Sequence, residues 1–198
     1  MPIQIREVRE DELDVVLAVN NAAGPSILPL TEAQLRFGFE EAAYFRVAES
    51  AGRIVGFLIA YDENSRYASS NYRWFRSRYP QFLYIDRVVI ASAQRGGGVG
   101  RIFYADVTSF AEVRTPLLTC EVFLEPRNDT ALVFHGTYGF QEVGQRVMDE
   151  NGLRVSMLVK ELGCYSWVKT RWLEGPGLPD LPWLSERPHR TASAGEVA

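Results

Sequence analysis

Residues 94–101 read QRGGGVGR and place four of the chain's sixteen glycines in a single turn. Glycine contributes no side chain and loses the most backbone freedom on folding, so a cluster of four implies that something approaches the main chain closely. Working outward, the preceding residues 82–90, FLYIDRVVI, have the composition of a β-strand. After the turn, Val99, Ile102, Phe103, Val107 and Phe110 recur at helical spacing. A strand that ends in a glycine turn and resumes as a helix leaves several N–H groups at the helix start without acceptors, aimed outward and reinforced by the helix dipole. That arrangement is an anion site, and phosphate is its usual occupant. Arg95 and Arg101 flank the turn and add positive charge.

Spacing separates the phosphate loops that use this physics. A P-loop needs Lys followed by Ser or Thr after its last glycine, where this chain has Arg101-Ile102. A Rossmann GxGxxG would need a third glycine at Phe103 or Arg101, on the first strand of a βαβ unit rather than the fourth strand of the chain. Arg95-Gly96-Gly97-Gly98-Val99-Gly100 instead fits R/Q-x-x-G-x-G/A. Downstream, Cys120-Glu121-Val122 is followed at 128–140 by NDTALVFHGTYGF, which fits N-x-x-A/S-x-x-F-Y/H-x-x-x-G-F. In these two blocks, and in the element order around them, the chain resembles the GNAT superfamily of acyl-CoA-dependent N-acyltransferases over residues 3–162.

The resemblance implies a single α/β domain over 1–162, with a tail at 163–198. It has a central mixed, mostly antiparallel, twisted sheet of about seven strands splayed at strands 4 and 5 and flanked by about four helices. It implies acetyl-CoA as acyl donor and no metal. The pantetheine arm would pair with the main chain of Val88, Val89 and Ile90, as an added strand does. The diphosphate would sit on the N–H groups of Gly96, Gly97, Gly98, Val99, Gly100 and Arg101, with Asn128 and His135 supplied by the second block. The implied reaction is direct acetyl transfer to an amine in the cytoplasm.

The rest of the chain reads consistently with one soluble domain. It has 198 residues, 46 % hydrophobic and 23 % charged, enough apolar material for one sizeable core. A formal charge of -4 argues against nucleic acid as the main partner. Cys120 and Cys164 lie far apart with no CxxC spacing, which suits reduced thiols. The charged start MPIQIREVREDELD is unlike a signal peptide, and no apolar run approaches the ~20 residues of a membrane span.

Strands are expected at Ile3–Val8, Tyr44–Glu49, Arg53–Tyr61, Leu117–Phe123, Phe140–Val147 and Leu153–Glu161, and helices at Glu10–Asn21, from Thr31 to about Phe39, and at Asn128–Gly139. Asp11 is the expected cap of the first helix. Ser50-Ala51-Gly52 signals a hairpin, and IVGFLIAY, apolar on both parities, belongs in the middle of the sheet. Asp62–Pro80 reads as a long polar and aromatic loop, and such loops are often functional. Beyond Leu162, Trp167, Trp172, Trp183 and four prolines mark an appended tail, and its last residues, TASAGEVA, read as disordered. That tail has three destinations: over the cleft, onto its own domain, or across to a second copy in a homodimer.

Acyl transfer to an amine needs a neutral amine, donors for the tetrahedral oxyanion, and a proton for the departing thiolate. The resemblance assigns the oxyanion to a backbone N–H near Val88–Ile90, and the proton to a tyrosine seven residues after the opening asparagine. Here that position is His135. His135 and Tyr138, one turn further on, are both candidate acids, and a packed, hydrogen-bonded His135 is the alternative. Asp86 and Glu121 are candidate bases. Asp86 shares a strand face with Tyr84 and Val88, and an ion pair with Arg87 is its other reading. Cys120 reads as a small buried hydrophobe. Tyr72, Arg73, Trp74, Phe75 and Arg76, together with Tyr84, are candidates for the acceptor wall, and the alternative is a solvated loop that Trp74 and Phe75 pin to the core. Aromatics with arginines suit a small amine that carries an apolar part and a carboxylate. Rival readings are a CoA-binding module without catalysis and a protein acetyltransferase acting on a lysine or an N-terminus.

Overall fold

The computed structural model describes residues 2–24 and 27–180. Trp183, Pro182, Pro188 and TASAGEVA lie outside the described residues. Seven strands form a mixed sheet: β1 (Ile3–Glu7), β2 (Tyr44–Ser50), β3 (Arg53–Asp62), β4 (Leu83–Ile90), β5 (Leu117–Phe123), β6 (Gln141–Val147) and β7 (Arg154–Glu161). Their order is β1-β2-β3-β4-β5-β7-β6. The helices are α1 (Leu13–Asn21), α2 (Glu32–Glu41), α3 (Ser70–Arg76), α4 (Val99–Glu112), α5 (Asp129–Thr137) and α6 (Tyr165–Val168). The chain groups into two compact units that divide within β4 and α4.

In the first unit β1 pairs antiparallel with β2, and β2 with β3. The β2–β3 hairpin turns on Ala51 and Gly52, both at positive φ (52° and 71°), a backbone twist that suits a two-residue turn. Val55 to Tyr61 of β3 are buried without interruption, as a central strand covered on both faces requires. Gly56 is obligatory there, because a Cβ would stand 2.6 Å from the Val89 carbonyl. α2 begins with a capping box in which the Thr31 hydroxyl accepts the Gln34 N–H at 3.2 Å.

Two expectations for this unit are corrected. The first turn of the expected Glu10–Asn21 helix is 3-10, covering Glu10–Glu12. Asp11 does not cap it: Glu12 accepts the Arg9 N–H at 2.9 Å while also holding the Arg6 guanidinium. An acidic side chain that can reach an arginine and an amide together takes the capping role from its neighbour.

The second unit holds β5, β7 and β6, paired antiparallel in that order. Within the expected loop at Asp62–Pro80 the seven residues of α3 are helical. Ser69 caps it by accepting the Tyr72 N–H at 3.0 Å, and Glu150 accepts from both the Ser70 amide (2.6 Å) and hydroxyl (2.7 Å). Tyr72 and Phe75 are fully buried, with ring centroids 5.7 and 5.9 Å from that of Tyr84. Seven residues are too few to show helical periodicity above a polar background, and packing of two aromatic rings stabilises what propensity does not. The tail is likewise ordered at its start. α6 runs on into a π-turn at Lys169–Leu173, with Tyr165 and Val168 buried. α3 and α6 bring the helix count among the described residues to six, where about four were expected.

Candidate active site

In the first unit β4 leads through a 3-10 turn (Ser92–Gln94) into the glycine cluster and then α4. Gly96 and Gly98 adopt φ of +80° and +85°, a region that side chains disfavour. No atom lies within 4 Å of where their Cβ atoms would be, so the space a side chain would take stands open. Val99 (1 % exposed) and Phe103 (0 %) anchor the start of α4, whereas Arg95, Gly96 and Gly97 are exposed. The first internal bond, from the Ile102 N–H to the Gly98 carbonyl, leaves the amides of Val99, Gly100 and Arg101 in the turn whose N–H groups have no acceptor inside the helix. The result is a strip of main-chain donors at the positive end of a 14-residue helix.

The side chains around this strip are engaged. Arg95 folds back, its guanidinium donating to the Ala23 carbonyl at 2.6 Å and the Ile90 carbonyl at 3.2 Å. Arg101 is exposed. On β4, Val89 is buried, and Val88 and Ile90 are half-buried. Asp86 is in an ion pair, 2.6 Å from Arg87 Nε, and Arg87 also donates to Asn20 Oδ1 (2.9 Å) and the Leu28 carbonyl (3.1 Å). A carboxylate so held orients an arginine that braces the end of α1.

The second unit brings Tyr84 and Glu121 together: the phenol donates to Glu121 Oε1 at 2.9 Å. The Asn128 side chain accepts the Ala131 N–H at 3.1 Å and so caps α5. His135, 6 % exposed, sits edge-on to Phe134 and Phe140. Its Nδ1 lies 2.7 Å from the Ala131 carbonyl. A carbonyl only accepts, so Nδ1 carries the hydrogen and Nε2 presents its lone pair. Burial lowers the His135 pKa from its ordinary value, only partly opposed by that hydrogen bond, and the ring is neutral at pH 7. Tyr138 caps the end of α5, its ring 4.9 Å from that of Phe134. Cys120 is buried, and burial, helped by the Glu121 charge, pushes its thiol well up, as befits an inert core residue.

Of the expected acceptor-wall residues, Tyr72, Phe75 and Tyr84 are interior and present no surface. Arg73 is exposed and Trp74 half-buried. Trp74 lies 3.4 Å from where a Gly144 Cβ would be, and Arg78 stacks on its outer side at 3.9 Å. Sequence reading missed Asn71 and Thr119, whose side chains are fully buried without hydrogen-bond partners among the described residues. Only their enclosure makes them notable. Among the described residues no His, Cys, Asp and Glu cluster suits a metal ion, and no helix is long and apolar enough to cross a membrane.

A family model for the acetyltransferase (GNAT) domain matches residues 20–162. No curated protein matches. Among solved structures, Ard1 from Thermoplasma volcanium is similar with a TM-score of 0.66 and 18% identity, over 82% of this chain and 99% of that one. The ribosomal-protein-S18-alanine N-acetyltransferase from Escherichia coli gives a TM-score of 0.64 at 14% identity, over 81% and 94%. Arabidopsis thaliana Naa50, solved with the bisubstrate analogue CoA-Ac-MVNAL, gives 0.61 at 15% identity, over 81% and 99%. At these identities the likeness is one of fold.

Proposed function

This chain belongs to the GNAT acetyltransferase family, and we propose that it transfers the acetyl group of acetyl-CoA to the amine of a small molecule by direct attack. The observation that carries the reading is the open strip at Gly96–Arg101. Two glycines hold positive φ with nothing where side chains would be, at the positive end of α4, and a diphosphate fits that chemistry. Gly96, Gly97, Gly98, Val99, Gly100 and Arg101 would hold the diphosphate through main-chain N–H groups. Val88, Val89 and Ile90 would hold the pantetheine and offer an N–H to the oxyanion. Acetyl-CoA supplies an activated carbonyl; the nitrogen–carbon bond would form first to give the tetrahedral oxyanion, whose collapse breaks the carbon–sulfur bond, the amine giving up one proton to a base and the thiolate taking one from an acid.

The chain's own groups move that proton. Glu121, bound to the Tyr84 hydroxyl, is the carboxylate we assign to draining the amine, through water or through the phenol. His135, neutral with its lone pair at Nε2, suits accepting a proton and not donating one. That leaves Tyr138 as the candidate donor to the thiolate. Asp86 we assign to bracing Arg87.

A protein amine is the second reading, since one structure that shares this fold is named a ribosomal-protein-S18-alanine N-acetyltransferase. The test is calorimetric titration with acetyl-CoA, followed by a thiol-release assay over small amines and short peptides. Binding with release confined to small amines supports the proposal. Release with peptides alone selects the second reading, and no binding of acetyl-CoA removes both.

A further inference from the structure

The glycine turn has little of its own to keep its shape. Gly96, Gly97 and Gly98 follow one another, and nothing packs where the Cβ atoms of Gly96 and Gly98 would be. Consecutive glycines reach many backbone conformations, so a turn that must present its N–H groups in one arrangement needs ties from outside itself. Within the segment the Arg95 N–H donates to the Ser92 carbonyl and the Gly97 N–H to the Gln94 carbonyl, both at 3.3 Å. These are long for such bonds, and they reach no other element.

The Arg95 side chain supplies two ties that do. Its Nε donates to the carbonyl of Ile90, the last residue of β4, at 3.2 Å. Its Nη2 donates at 2.6 Å to the carbonyl of Ala23, a buried residue just past α1 and 72 positions away. A charged donor on a carbonyl makes one of the stronger hydrogen bonds. A positive charge beside the glycines suggests a phosphate ligand, but the guanidinium is spent on main-chain carbonyls. Arg87 does the same on the other side of Val88–Ile90, where it holds Asn20 and the Leu28 carbonyl. The two arginines fasten the connection between α1 and α2 to both ends of the strand segment assigned to the pantetheine.

We propose that Arg95 is a positioning residue with two separable arms. Nε sets the glycine turn on the end of β4, so that its amides are already arranged when the diphosphate arrives. Nη2 fastens the α1–α2 connection beside that strand. Neither arm touches a reactant. The gain in affinity comes from ordering completed before binding, not from a charge on the phosphate. This rests on the acetyl-transfer reading, which places the diphosphate on the turn.

Two variants separate the arms. Glutamine carries an N–H donor as many bonds from the main chain as arginine Nε, so Arg95→Gln keeps the Ile90 bond and falls short of Ala23. Methionine is of similar length and makes neither bond. By calorimetry the acetyl-CoA Kd should stay within about twofold for Arg95→Gln and rise about tenfold for Arg95→Met. Amide exchange at Ile27 and Leu30, whose N–H groups bond Gly24 and Asn21, should quicken about tenfold in both variants. Arg95 is exposed, so both proteins are expected to fold. Three results overturn the inference. Equal losses of affinity in the two variants, with a weaker salt dependence of Kd than in wild type, would make Arg95 an ionic phosphate ligand. A lowered Tm with both Kd values unchanged would make it structural only. Unchanged exchange at Ile27 and Leu30 would remove the second arm. Failure of the wild-type protein to bind acetyl-CoA would instead overturn the acetyl-transfer reading.

Discussion

Gly98 is the residue at which the reading of this protein is most exposed to test. Its φ of +85° disfavours any side chain, and the direction of its absent Cβ is open. Gly98→Ala should cost about 1–2 kcal/mol of stability through backbone strain alone. Gly98→Glu should add a negative charge and bulk where a diphosphate would sit, raising the acetyl-CoA Kd about a hundredfold or more by calorimetry; an unchanged Kd would mean that the strip binds something else. For His135 the sign of the pH effect follows from its lowered pKa. The unfolded chain takes up a proton near pH 6.5 that the folded ring refuses, so this residue's contribution is intact above that pH and falls away below it. Thermal melts at pH 7.5 and 5.5 should therefore show a larger drop for wild type than for His135→Gln. Equal drops would mean that the ring is not held neutral. His135 was legible as a position, because the asparagine-led block counts to it. Its role was not, because a tautomer is set by the Ala131 carbonyl.

At the scale of the element, α3 is the informative case. Its start is held by Glu150, whose carboxyl is lowered below its usual range: burial pushes it up, and hydrogen bonds from the Ser70 hydroxyl and amide, with the Arg146 charge, outweigh that. Stability from this contact is present above the ordinary carboxylate pKa and is lost as pH falls through the lowered value. Glu150→Gln should cost about 0.5–2 kcal/mol near neutral pH, in the range of a lost helix cap, with faster amide exchange confined to α3. Phe75→Ala, which removes a ring in contact with Trp74, Tyr79, Phe82 and Tyr84, should cost about 3–5 kcal/mol by chemical denaturation. A loss below about 1 kcal/mol would deny α3 its place in the core. Strands with clear alternation or uniform apolar runs were legible, and so were the helices with marked starts. α3 and α6 were not, since short helices owe their stability to packing.

Across the whole molecule the two thiols report on the fold independently of any ligand. Cys164 is exposed and Cys120 buried, so a thiol reagent should titrate one cysteine in the native protein and two after denaturation. Two in the native state would mean that the face of β5 bearing Cys120 is open. The sequence by itself determined the family architecture and the place of the glycine turn, because both rest on local features: strand-to-helix order, glycines at a fixed spacing, and an asparagine that caps its own helix. Only the tertiary structure decided which side chains those elements leave available. It braced Arg87 against Asn20 and the Leu28 carbonyl, turned Arg95 back to Ala23, took Tyr72 and Phe75 into the core, and joined Tyr84 to Glu121 across 37 positions of sequence. The physical reason is that hydrogen-bond partners and burial belong to contacts between segments distant in the chain, and no local pattern encodes which of several carboxylates an arginine or a phenol will meet.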